Sequence, residues 1–181
     1  MNTITTMLIA GAALASAAAE AATLAGVRLE PTLQVGGQTL ALASCGVRDT
    51  LWIDHYAAGL YLPKGDSPQT VQDGSRPKAV RMKVIQARFL PDNIPEKWRG
   101  ALKSELRHEP MVRVREAYDR LADGDVVTFA YGPQQGVTMS VNGKTVVNTP
   151  GHAVIDSILK AWSGKDPVTG KLNRLTLEHP C

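Results

Sequence analysis

Gly46–Leu62, GVRDTLWIDHYAAGLYL, is the stretch on which the fold turns. From Leu51 to Leu62 it is a long apolar run that alternates only in part, and Pro63, Lys64 and Gly65 end it. Such a run, rich in aliphatic and aromatic residues and closed by turn formers, predicts a central strand with a kink at Gly59. Arg48 stands just before it. An arginine aimed into a core needs a carboxylate or another charge-assisted partner, because stranding its charge costs several kcal/mol. Two readings follow for Arg48. Either Asp49 serves it and leaves it at the rim, or it closes the end of an apolar pocket and binds a carboxylate bidentately.

Working outward, Val27–Val35 and Thr39–Ala43 read as strands around a Gly36-Gly37 hairpin turn. Ser67–Gln72 suits a short helix, with Ser67 as N-cap and Pro68 at the first helical position. Ala79–Gln86 alternates as a strand. Two helices follow, from about Asn93 to His108 and from about Met111 to Ala122, broken by Pro110. The first places Ile94, Trp98, Ala101, Leu102 and Leu106 on one face. Val126–Ala130 and Val137–Val141 are strands joined through Gly132-Pro133, and Asn142-Gly143 turns tightly into Thr145–Val147. His152–Trp162 is an amphipathic helix, followed by a polar turn, SGKDPVTG, and a last short helix near Lys171–Leu177. Runs of strands separated by clusters of helices predict an α+β fold, with helices on one side of a mainly antiparallel sheet.

The N-terminus carries the export signal. Met7–Ala19, MLIAGAALASAAA, has the length of a signal-peptide core, and small residues at Ala19 and Ala21 offer a cleavage site. Residues 1–22 are therefore expected to be a signal peptide and 23–181 a single domain, periplasmic or secreted. Loss of Glu20, the one charged side chain in residues 1–22, takes the formal net charge from +3 to +4. That is far from a nucleic-acid signature, and no later run is apolar enough for stable insertion in a membrane. The basic stretch Lys97–Arg120 reads as a solvated helix face or, alternatively, a surface for anionic membranes. In an oxidising compartment Cys45 and Cys181 form a candidate disulfide; two free thiols are the other reading.

Conventional catalytic motifs are absent: there is no P-loop, GxGxxG, GxSxG or HExxH. His55, His108, His152 and His179 lack metal-ligand spacing and read as surface or packing residues, so neither a metal nor a cofactor is expected. Ser16 and Ser44 find no triad partners.

The quoted stretch is similar to a strand motif of the chalcone isomerase-like family, a G-x-G-x-R stretch before an aromatic strand ending in A-x-G-x-Y-L. Later pieces follow in the family's order: NIPEKWRGAL at 93–102, GDVVTFAYGPQQGVTMSVNGKTV at 124–146 and AVIDSILKAW at 153–162. The resemblance covers nearly all of 26–178 and suggests a bacterial member. It implies an open-faced β-sandwich, a large antiparallel sheet with a helical layer and a ligand cleft between them. Residue by residue, it places Arg48 at the arginine that anchors an anionic ligand. Tyr56 falls at the active-site threonine of plant chalcone isomerases, Ile94 at their catalytic tyrosine, Lys97 at a retained lysine and Ala101 at an asparagine. The hydroxyl of the last pocket helix has no counterpart among Ile158–Ala161. Losing those donors argues against cyclisation, since such groups are worth a few kcal/mol each.

The Y-A-A-G form of the strand resembles the family's non-catalytic, fatty-acid-binding branch, where an Arg and a Tyr hold the carboxylate. The expected ligand is a small apolar acid of fatty-acid type, with Arg48, Tyr56, Lys97 and Ile94 at its site and no catalytic residue. An intramolecular lyase acting on a chalcone-like or other enone substrate, with Tyr56 in place of the absent acid, is the second expectation. An envelope adaptor with a self-filled cleft is the third. The sequence identifies no protein partner.

Overall fold

The computed structural model describes residues 21–67, 71–163 and 181, without the side chains of 50, 97, 101 and 161–163. Residues 1–20 of the expected signal peptide, the middle of the expected short helix at 67–72, most of the polar turn and the expected final helix at 171–177 lie outside the described residues.

Among the described residues, nine strands and three α-helices follow one another: β1 Ala22–Leu24, β2 Val27–Leu29, β3 Thr32–Val35, β4 Gln38–Thr50, β5 Ile53–Pro63 and β6 Lys78–Val84, then α1 Glu96–Glu105 and α2 His108–Asp119, then β7 Val126–Gly132, β8 Gly136–Val141, β9 Lys144–Thr149 and α3 Ala153–Ser163. Strands β3 to β9 form one antiparallel sheet in chain order, so each strand pairs with its sequence neighbour. Strands β1 and β2 make a separate hairpin. Alternation then sorts the side chains. Ala58, Leu60 and Leu62 of β5 share one face with Val80, Met82, Val127, Phe129, Val137 and Met139, and all three helices bury their apolar stripes against them. On the other face, Tyr61 packs with Val35, Leu40 and Ala79, and its hydroxyl donates to the Glu30 carbonyl at 2.9 Å.

Four details differ from the sequence reading. The 27–35 run is two strands interrupted at Glu30-Pro31, because proline cannot donate to a ladder. Gly59 is no kink: β5 keeps its register there against β4 and β6. A Cβ at that position would sit 2.6 Å from Leu42 Cδ1, so glycine is needed for close packing. Pro110 does not separate the helices. It lies in the first turn of α2, where the missing N–H has no helical partner to lose, and the break falls at Leu106, whose backbone is extended (φ −102°, ψ 133°). Leu51 and Trp52, read as strand, form the β4–β5 turn with φ of 49° and 67°. Left-handed backbone costs non-glycine residues about 1–2 kcal/mol each.

Cys45 and Cys181, 136 positions apart in sequence, are disulfide-bonded, with Cα atoms 5.4 Å apart. The bond tethers the chain's end to β4 in the body of the sheet.

Candidate functional site

Between the sheet and the α1–α2 pair lies a cavity of about 60 Å³. The sheet contributes Tyr56, Met82, Val84, Val127, Phe129, Met139 and Val141 to its wall. The approach to α1 and its first turns contribute Ile94, Pro95, Trp98 and Leu102, and α2 contributes Val114, Ala117 and Tyr118. The wall is almost wholly apolar, and among the described residues its polar N and O side-chain atoms belong to Tyr56, Trp98 and Tyr118. A second void of about 10 Å³ continues the seam past Leu102 and Val114 towards Leu106 and Val154.

Two of the residues singled out from sequence thus meet at the cavity, Tyr56 from the sheet and Ile94 from the approach to α1. Arg48 arrives by register. It is the direct cross-strand partner of Tyr56, and opposite residues of an antiparallel pair project to the same face. The ladder shifts immediately beyond this pair, where His55 is the extra residue on β5. Such bulges re-aim neighbouring side chains. Arg48 is partly buried at the end of the cavity without belonging to its wall. Lys97 lies in the first turn of α1, and its side chain is outside the described residues.

Electrostatics at this end keep both phenols protonated. Burial pushes the Tyr56 hydroxyl well above its ordinary pKa; the Arg48 guanidinium opposes that shift and Tyr118 adds to it. Burial, helped by Asp119 and Asp92, raises Tyr118 to about 12. Tyr118 spends its proton on the Pro91 carbonyl at 2.8 Å. The Tyr56 hydroxyl makes no hydrogen bond among the described residues, and it is the donor left over beside a cation. His55, on the bulge, is 9% exposed. Burial, then the nearby Arg48 charge, holds its imidazole below the ordinary value, and its Nε2 has no partner.

Sequence reasoning missed a second polar cluster, at the α3 end of the same face. Lys78 is 1% exposed, and its Nζ donates to the Val71 carbonyl at 2.5 Å and to Asp156 Oδ1 at 3.2 Å. Asp156 Oδ2 in turn meets His152 Nδ1 at 2.5 Å, while the Tyr131 hydroxyl donates to the Gly74 carbonyl at 2.5 Å. The one signal in the sequence was Lys78 standing at an alternating position otherwise held by Val80, Met82 and Val84. Its partner lies 78 residues on, beyond the reach of local pattern.

The sequence model of the chalcone isomerase-like family matches residues 21–177. The chain belongs to that family. Its fold is the family's, a curled antiparallel sheet with a helical layer over one face. Among solved structures, a fatty-acid binding protein of Arabidopsis thaliana is similar, with a TM-score of 0.59 and 14% sequence identity over 87% of this chain and 96% of the other. Among curated proteins, no sequence matches this one. In this chalcone isomerase-like protein, the wall position that the sequence comparison assigned to a catalytic tyrosine is held by Ile94, which is buried.

Proposed function

We propose that this chalcone isomerase-like protein is an exported, non-catalytic binder of a fatty acid or similar apolar carboxylate. The observation that carries the reading is the Tyr56 hydroxyl, a protonated donor with no hydrogen-bond partner among the described residues, beside Arg48 at the end of an apolar seam. Arg48 and Tyr56 hold the carboxylate, one by a charge-assisted bond and one by a neutral bond. Lys97 adds positive charge from α1. The chain runs along Ile94, Val84 and Phe129. The solved fatty-acid binding protein of similar fold supports the ligand class, and Met7–Ala19 supports export.

Size governs how the ligand enters. A void of about 60 Å³ is under half the roughly 150 Å³ that admits a benzene ring. An acyl chain therefore requires α1 and α2 to lift from the sheet. Neither helix has a side-chain cap bond at its N-terminus, at Pro95 or at Arg107, and an uncapped helix end lacks a contact typically worth about 1 kcal/mol. Met82 and Met139, flexible and unbranched, line the space that must change shape.

Catalysis gains little from this wall. Neither phenol loses its proton near neutrality, so neither supplies a base; Ile94 has no proton to give, and the Tyr56 hydroxyl is the one group there that an enone lyase could use as its acid. Native mass spectrometry of the purified protein, followed by denaturing extraction, tests the binding reading. A co-purifying acid that is lost from Arg48→Ala supports it, and an empty protein that takes up no added fatty acid contradicts it. Turnover of a chalcone above the spontaneous rate would instead establish the lyase.

A further inference from the structure

The β4–β5 turn is unlike the other two-residue hairpin turns. Ala25-Gly26, Gly36-Gly37 and Asn142-Gly143 each carry a glycine at positive φ. Leu51-Trp52 adopts the same left-handed backbone with two large apolar side chains, which are 78% and 92% exposed. The third exposed large apolar residue among the described ones, Phe89, adjoins this tip. Its segment packs against β5 beside His55, three residues beyond Trp52, and the Arg88 guanidinium lies over the Phe89 ring at 4.6 Å. All three apolar groups therefore mark one edge of the molecule, the edge at which Tyr56 and Leu90 line the cavity. Tyr56 is four strand positions from Trp52, roughly 13 Å at the usual rise per residue.

We infer that the Leu51-Trp52 tip inserts into the interface of a lipid bilayer, setting the polar end of the cavity at headgroup depth. The surface area argues for lipid over a folded partner. Two such side chains present roughly 300–400 Å², well short of the about 800 Å² that each side of a stable protein complex buries. A convex tip of that size gives a second copy little to grip. A bilayer interface needs only a few side chains, and Trp with Leu is the pairing favoured there, at a depth of roughly 5–10 Å. Arg48 and Arg88 are balanced near the tip by Asp49 and Asp54, so attachment is apolar in origin and nearly independent of salt. This surface is distinct from the basic helical stretch 97–120.

Brominated lipids test the insertion through Trp52 itself. The full chain is mixed with vesicles of phosphatidylcholine, with and without phosphatidylglycerol, in ordinary and brominated form. Brominated acyl chains are expected to quench the wild-type tryptophan emission, with less than about twofold change on raising salt to about 0.5 M. Trp52→Phe, which keeps Trp98 and Trp162, should lose that quenching, and Leu51→Glu should weaken vesicle partitioning about tenfold or more. Both substitutions are at exposed positions, so an unchanged melting temperature serves as the folding control. Equal quenching in wild type and Trp52→Phe, or none in either, overturns the inference. So does a Trp52 emission that shifts with protein concentration in the absence of lipid, the mark of a second copy on the tip. The outcome is separable from acid binding: Tyr56→Phe should weaken the acid and leave quenching intact.

Discussion

One face of the sheet carries two polar features, and they are finished to different degrees. Beneath α3, Asp156 bonds both Lys78 and His152, Tyr131 packs its ring against both and donates its hydroxyl to the Gly74 carbonyl, and the buried ammonium has both a carboxylate and a carbonyl. Beneath α1 and α2, the Tyr56 hydroxyl has no partner among the described residues, the helices lack side-chain caps, and a void remains in an apolar wall. The contrast separates structure from function in physical terms. A buried polar group that is fully satisfied holds the fold, whereas a hydroxyl that faces a void with no protein partner among the described residues keeps its donor for a ligand.

The largest effect expected from breaking this contrast is at the satisfied end. Asp156→Ala leaves Lys78 buried with a single carbonyl and should cost about 3 kcal/mol. Denaturant unfolding checks the loss, and fatty-acid affinity of the folded fraction should stay the same. Next comes Arg48→Ala, which removes a charge-assisted bond worth about 1.5–3 kcal/mol. Acid affinity should fall roughly 10- to 100-fold with little change in melting temperature. Tyr56→Phe takes away one neutral donor, worth about 1 kcal/mol or a few-fold in affinity, measurable by the same titration.

Filling the void sharpens the comparison from the other side. Ala117→Leu should raise stability by up to about 1 kcal/mol while reducing acid binding, because the added volume occupies the place of the acyl chain. The smallest effect is on pH. An unfolded chain takes up a proton on the His55 imidazole near pH 6.5, whereas burial lets the folded chain do so only at lower pH. Stability is therefore kept above about pH 6.5 and declines as pH falls through that window. His55→Leu should flatten this part of the melting-temperature profile.

Much of this could be read before the structure, and the failures have identifiable causes. Strands with clean alternation, such as the one containing Val80, Met82 and Val84, fall within a residue or two of their observed ends. The α+β class and the family resemblance held, since both rest on the order of elements. Tyr56 and Ile94 were legible as residues, and the fold does bring them to one cavity. The pairing of Arg48 with Tyr56 came from the family resemblance alone, because the residues themselves do not show the strand register and the bulge at His55 on which it depends. Leu51 and Trp52 misled for a simple reason: an apolar pair inside an apolar run carries no sign of positive φ. Gly59 misled in the opposite way, by looking like a hinge where the packing of Leu42 required it. The Lys78–Asp156 pair joins residues too far apart for any local pattern to connect.

Calorimetric titration of a long-chain fatty acid into the wild-type protein and Arg48→Ala tests the central claim most directly. Saturable binding at one site, weakened roughly 10- to 100-fold by the substitution, is the predicted result. No binding to the wild type, or equal binding to both proteins, would contradict it.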